Sequence, residues 1–324
     1  MDCPVHILRA FTSTAVPALG NPAGVVLLEN MPEAGVMQRI AIEAQQPITA
    51  FLEPRNDERS EFNIRYYDLN GRECHICGHA TLAAVAQLKR MTKTLDGKDI
   101  TFYLNPEQFA GHERYIKGHI YGESLGLDMR ADTLKYMSDF LLYEKVASVL
   151  NVGILSINSI AFSPHHRDYI VELDNAETLL HAKPDFEAMK IMAAKGPFKH
   201  EGMITSCLAP PKSACDLHVR VFLPISGVNE DIACGSSSAL LAPYWKQRGL
   251  NSSTNTYRIL SVFSEGPEGH IGGVQKVALL PEQQTVAITA QARHERDLLV
   301  TLDNLVPNRP EYRNKVYTVL TFKK

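Results

Sequence analysis

The chain has 324 residues, 45% hydrophobic and 21% charged, with 33 basic and 36 acidic side chains and a formal charge of −3. That length supports about two lobes at the usual domain size, with a core large enough to fold without staples. The charge balance excludes nucleic acid or an anionic membrane surface as the main partner. No apolar run approaches a transmembrane length, and the opening MDCPVHILRAFTS lacks the basic-then-apolar pattern of a secretory signal. Six cysteines are too few for a disulfide scaffold. A cytoplasmic, reducing setting is expected, with some thiols available for chemistry.

Val5 to Phe11 reads as a strand, and after a turn at Gly20-Asn21-Pro22 the run Gly24 to Leu28 reads as a buried one. Residues 34–46 read as a helix with Val36, Met37, Ile40 and Ala41 on one face, ended by Pro47. Phe62 to Tyr67 reads as a strand. Asn70-Gly71 predicts a type I′ hairpin turn, with positive φ at both central residues, and a second strand runs to Ile76. Leu82 to Leu88 is apolar nearly all round, the mark of a helix buried on every side, as inside a wrapped sheet. A linker is expected near 122–135, then helices near 133–150 and 176–194. Strands are expected at 167–173, 216–223 and 284–290, with a tail strand at 314–322.

An internal repeat organises these elements. Ile64-Arg65-Tyr66-Tyr67 leads to Glu73 and Cys77-Gly78, then the apolar helix. Val219-Arg220-Val221-Phe222 leads to Glu230 and Cys234-Gly235, then Ser236, Ser237, Ser238 and an apolar run to Trp245. In both copies a Glu sits four residues before a Cys, and Cys-Gly is expected to open a buried helix. The predicted fold is therefore α+β: two pseudo-symmetric lobes, each a β-barrel-like sheet around a central buried helix. The lobes are expected at 1–128 and 129–299, with the tail 300–324 returning to the first.

A helix start exposes unpaired N–H groups and a partial positive charge, so it binds carboxylates and stabilises a thiolate. Gly after the Cys lets a ligand approach the backbone. Two such starts facing across a cleft suit one reaction: one thiolate removes a proton beside a carboxylate and the other thiol returns one to the opposite face. The result is inversion at that carbon, with no metal and no pyridoxal or other cofactor required.

These residues resemble a known superfamily. RYYDLNGRECHICGH is similar to the first cysteine motif of diaminopimelate epimerase. CGHATLAAVAQL, GNPAGVVLL, PDF at 184–186 and GVNEDIACGSSSALLAPYW resemble the phenazine-biosynthesis PhzF-like isomerases. The likeness runs to about residue 292 and implies the diaminopimelate epimerase-like fold and a homodimer. PhzF-like proteins carry Ser-Glu-Thr-x-Phe with the Glu as general acid–base; here the segment is Pro47-Ile48-Thr49-Ala50-Phe51, and Ile48 cannot transfer protons. Where they have Thr before the second Gly-Ser, this chain has Cys234, as proline racemase and diaminopimelate epimerase do.

The resemblance therefore implies Cys77 and Cys234 as an acid–base pair. It implies Asn21, Asp68, Gly78, His79, Gly235, Ser236 and Ser237 as substrate contacts, with Glu73, Glu230 and Asp231 supporting them. Some residues have plainer readings too: Asp68 as a turn residue, His79 as a cap, and Glu73 and Glu230 as holders of loop backbone rather than positioners of the thiols. Cys74 and Cys77 form a lone C-x-x-C without a second ligand pair, so no metal site is expected. Cys3, Cys74, Cys207 and Cys215 read as structural. The leading expectation is a cofactor-independent amino-acid racemase or epimerase acting on a small amino-acid-like molecule. The alternatives are a PhzF-like double-bond isomerase, for which Glu43 is the nearest earlier carboxylate, and a ligand-binding relative without catalysis.

Overall fold

The computed structural model describes residues 2–109, 114–195, 200–250, 254–263 and 270–301. The chain divides into two compact units. The first comprises Met1–Ala10, Pro22–Asp128 and Thr289–Lys324, and the second Phe11–Asn21 and Met129–Ile288. The expected strand at 314–322, and most of the tail expected to return to the first lobe, lie outside the described residues.

The first unit is built from β1 (Asp2–Thr12), β2 (Asn21–Leu27), α1 (Ala34–Ala44), β3 (Ile48–Pro54), β4 (Glu61–Asp68), β5 (Glu73–Cys74), α2 (Gly78–Met91), β6 (Ile100–Leu104), β7 (Tyr115–Tyr121) and β8 (Ser124–Arg130). The long strand Thr285–Thr301 completes it. Pairing runs β1-β2-β3-β4-β6-β7-β8, then through the long strand back to β1, so eight strands close into a barrel. Closure leaves no open sheet edge. β2 pairs parallel with β3, and β4 with β6. Parallel neighbours need a crossover, and α1 and α2 supply the two. α1 packs Val36, Met37, Ile40, Ala41 and Ala44 against Cys3, Val5, Ile7 and Phe51 of the strands.

α2 is buried from Gly78 to Val85 and again at Gln87 and Leu88. Its alanines let strands approach closely, and Lys89 and Arg90 stand in its last turn, where the helix dipole favours cations. The closest approach is at Gly118 of β7. A Cβ there would stand 2.6 Å from Val85 Cγ2 and 2.9 Å from Phe102 Cε2.

The second unit contains β9 (Lys135–Met137), α3 (Phe140–Leu150), β10 (Ile157–Ser163), β11 (Asp168–Leu173), α4 (Ala176–His181), α5 (Phe186–Lys195), β12 (Gly202–Leu208), β13 (Leu217–Leu223), β14 (Val228–Asp231), α6 (Ser238–Gln247), β15 (Thr256–Phe263) and β16 (His270–Leu280). The strand Thr285–Thr301, β17, begins here and ends in the first unit. The order β9-β10-β11-β12-β13-β15-β16 repeats the logic of the barrel. β11 and β12 are parallel across α4 and α5, β12 and β13 antiparallel, and β13 and β15 parallel across α6. The repeat seen in the sequence is thus a repeat of pairing pattern. α6 is buried from Ser238 to Trp245.

Several local expectations change. The helix expected at 176–194 is two, α4 and α5, broken before Pro184, whose ring disfavours helical backbone in the residue ahead of it. The helix expected from 133 begins at Phe140, capped by Asp139 accepting from Leu141 N at 3.0 Å, and β9 takes the residues before it. The linker expected at 122–135 is largely β8. At Asn70-Gly71 only Gly71 has positive φ, so the turn is not type I′. Asp68 Oδ1 accepts from Asn70 N and Arg72 N, each at 2.9 Å, and this side-chain bonding selects a different turn.

Gly118→Val is expected to destabilise the protein by about 1–3 kcal/mol, the usual cost of overpacking. Urea unfolding would show a lower midpoint with an unchanged slope; an unchanged midpoint would mean that α2 yields freely beneath β7.

Candidate active site

In the first unit the site residues lie where β4, β5 and α2 meet. Cys77 is the N-cap of α2, with extended backbone at φ −151° and ψ 108°. Thr81 Oγ1 donates to Cys77 O at 2.6 Å, and Tyr66 Oη lies 2.6 Å from the same Thr81 oxygen. The cysteine backbone is therefore pinned from inside the helix. Its sulfur is buried and lies 3.3 Å from His79 Nδ1. An imidazole at that distance can donate to a thiolate or accept from a thiol, depending on its tautomer.

Glu73, four residues before Cys77, faces an arginine. Arg65 donates through Nε and Nη2 to its two carboxylate oxygens at 2.8 and 2.6 Å, and Asn105 Nδ2 donates at 2.9 Å. Burial alone would raise the Glu73 pKa, but these donors hold it below the usual carboxylate value. A carboxylate so engaged is a poor base, and its partners are the side chains of Arg65 and Asn105 rather than loop backbone. Asp68 is likewise committed to the hairpin, with Arg72 Nε 3.3 Å from its Oδ2. This is the turn role read for Asp68.

The second unit repeats the arrangement. Arg220 donates through Nε and Nη2 to Glu230 at 2.7 and 3.0 Å, and through Nη1 to the carbonyls of Leu179 and Ala182 at 2.8 and 2.9 Å. Its side chain is 1% exposed and that of Glu230 6%. In each unit the repeat's arginine, on the central strand, clamps the repeat's glutamate beside the cysteine. The two arginines are visible in the sequence repeat; their partners are set by hairpin register.

Cys234 differs from Cys77 in one respect. α6 begins at Ser238, not at Cys234-Gly235, because Ser238 N and Ala239 N bond to Gly235 O and Ser236 O at 3.1 Å and tighten this stretch into a turn. The Ser237 N–H still reaches the thiol, as at a helix cap. Ser237 Oγ and Gln275 Nε2 donate to Cys234 O at 2.7 and 3.1 Å, and Ser236 Oγ lies 3.3 Å from Cys234 Sγ. Gln275 was not legible as a site residue, since only the position of β16 brings it to the loop.

Asn21 Nδ2 donates to Asp231 Oδ1 at 2.5 Å and to Ala233 O at 2.8 Å, while Asn21 Oδ1 is buried without a hydrogen-bond partner. β16 approaches so closely that a Cβ at Gly272 would stand 1.8 Å from Ile232 O. Glycine there is what allows the Cys234 loop its path.

The expected thiolate-stabilising effect of a helix start does not govern Cys234. Burial, then the negative charge of Asp231, push its pKa up to about 12 despite donors from Ser236 and Ser237. Asp168, whose Oδ1 is buried and unpaired, is raised to about 7 by burial and by Glu201. Ile48 is buried at the start of β3, and Glu43 is exposed on α1 away from its core-facing residues. The carboxylate suggested for a PhzF-type acid–base is therefore turned to solvent. All six cysteines are free thiols, and burial pushes Cys3 and Cys207 up to about 12 as well.

The sequence pattern of phenazine biosynthesis-like proteins, PhzC-PhzF, matches residues 8–296. The chain belongs to this family. An uncharacterized isomerase of Halalkalibacterium halodurans is 29% identical over 76% of this chain and 83% of its own length. The crystal structure of a PhzF-family phenazine biosynthesis protein from Enterococcus faecalis superposes with a TM-score of 0.72 at 25% identity, covering 93% of this chain and all of that one. A hydroxyproline epimerase from Agrobacterium vitis, solved with trans-4-hydroxy-L-proline bound, shares the fold at a TM-score of 0.54 and 12% identity, over 94% of this chain and 93% of that one.

Two outcomes are expected from these geometries. Glu230→Gln leaves Arg220 buried without its counter-charge and should cost about 3–5 kcal/mol in chemical denaturation. A variant of native stability that loses only turnover would instead make Glu230 part of the chemistry. Alkylation of Cys234 by iodoacetamide, followed by peptide mass spectrometry, should rise with pH and show no plateau below about pH 10. A plateau near about pH 8.5 would mean an ordinary, unperturbed thiol.

Proposed function

We propose that this phenazine biosynthesis-like protein is a cofactor-independent isomerase that racemises or epimerises the α-carbon of a small amino-acid-like molecule, with Cys77 and Cys234 as its acid–base pair. The observation that carries the reading is the doubled device: in each unit a buried cysteine, its carbonyl pinned by side chains, just before a buried helix and beside a glutamate already neutralised by arginine. The clamped glutamates leave the thiols as the proton carriers of both copies. An isomerase name on a relative and an epimerase sharing the fold agree with this reading.

Such a reaction needs one thiolate and one thiol at a time. His79, 3.3 Å from the Cys77 sulfur, is placed to exchange a proton with it. Burial and Asp231 favour the neutral thiol at Cys234. In one direction Cys77 takes the α-proton as a thiolate, while Cys234 delivers its own to the opposite face of the carbon. The next cycle runs from the reversed state. The N–H groups of Gly78 and His79, and of Gly235 and Ser236, receive the carboxylate and the negative charge developing on it. The ammonium is received by Asp231 and by the orphan Oδ1 of Asn21, since a buried acceptor without a donor is a place for one. The double-bond isomerase reading has lost its candidate acid, Glu43.

The test is a D/L amino-acid panel incubated with the reduced protein in deuterium oxide and followed by proton NMR and chiral chromatography. A substrate should gain α-deuterium while its optical purity falls. Cys77→Ala and Cys234→Ala should each lower racemisation by about 10²–10⁴-fold, the usual worth of a positioned acid–base group. Full racemisation by both variants would overturn the two-thiol mechanism.

A further inference from the structure

We propose that His6, His294 and Asp297 of the first unit form a binding site for one divalent transition-metal ion of the zinc class. None of the three belongs to the proposed catalytic machinery, so this inference stands apart from the racemase reading.

His6 stands on β1, and His294 and Asp297 stand on β17, its neighbour in the barrel. His6 Nδ1 lies 2.7 Å from Asp297 Oδ1, and His294 Nε2 lies 2.9 Å from the same oxygen. The three donor atoms all fall within 4.8 Å of one another. Residues three apart on a regular strand point to opposite faces, so β17 departs from an even pleat to bring His294 and Asp297 together.

A tetrahedral zinc ion with bonds of about 2.0–2.1 Å places its ligands about 3.3 Å apart. The two histidine–aspartate contacts, at 2.7 and 2.9 Å, need to open by only about half an ångström to reach that spacing. Two imidazoles and one carboxylate suit zinc and its neighbours, whereas magnesium and calcium take oxygen ligands. Asp297 Oδ2 faces Arg90 Nη2 at 3.7 Å. The guanidinium therefore holds the carboxylate from behind and leaves Oδ1 as the single ligand oxygen, in the manner of an outer-shell partner. The neighbouring Glu295 is paired with Arg9 at 2.9 Å. Three protein ligands leave a fourth position for water, and the side chains of His6 and His294 are 14% and 24% exposed, within reach of solvent. An ion held there ties the N-terminal strand to a strand almost three hundred residues later in the chain.

The test uses the full-length reduced protein stripped with a chelator. Calorimetric titration with zinc chloride should show one equivalent bound, and Tm should rise with zinc concentration. His294→Ala and Asp297→Asn should each weaken zinc binding by at least about tenfold and abolish the rise in Tm, with circular dichroism unchanged. Because free thiols also bind zinc, cobalt(II) substitution should give a spectrum without thiolate-to-cobalt charge transfer. Absence of saturable zinc binding, unchanged affinity in either variant, or a cobalt spectrum showing thiolate ligation would each overturn the proposal.

Discussion

A guanidinium taken out of water has to be answered where it sits, and Arg220 is answered three times over. Its head is bidentate to Glu230 and also satisfies carbonyls of Leu179 and Ala182, at a side-chain exposure of 1%. The desolvation cost of such a pair is recovered only when the geometry is good and the remaining donors are used. Strands β13 and β14 and the α4 terminus are therefore held to one arrangement. The Cys234 loop inherits its position from that clamp. Arg65 and Glu73 do the same beside Cys77, with Asn105 as a further donor and more solvent nearby.

The chemistry follows from what the clamp removes. With Glu73 and Glu230 both bound to arginine, neither glutamate of the repeat is available as a base, which supports the proposal that sulfur carries the proton. The two sulfurs are not equivalent. One has an imidazole at 3.3 Å, while the other lies in a desolvated pocket near Asp231 and Asp168 with only hydroxyl and amide donors. Two copies of one motif thus place their sulfurs in different surroundings, which the proposed acid–base pair would use.

Much of this was legible in the chain. The apolar run at Leu82 to Leu88 announced a helix wrapped by sheet, and α2 is that helix. Ile64 to Tyr67 and Val219 to Phe222 were visible as strands leading into cysteine motifs. Less legible were features that depend on a neighbour arriving from elsewhere. The Asp68 bonds to Asn70 and Arg72 depend on how the hairpin closes, which the chain does not show. Gly118, Gly272 and Gln275 carry no motif, and their roles come from what lies opposite them: Val85, Ile232 and the carbonyl of Cys234.

The sequence by itself determined the local and the periodic: strand and helix identity, the doubled cysteine motif and the replacement of the usual glutamate by Ile48. These are properties of near neighbours in the chain, where backbone sterics and apolar spacing act directly. Only the tertiary structure decided that the glutamates are spent on arginines, that Cys234 is held as a thiol, and that His6 meets His294 and Asp297. Desolvation and charge pairing depend on distances through space, and sheet register and barrel closure set those distances.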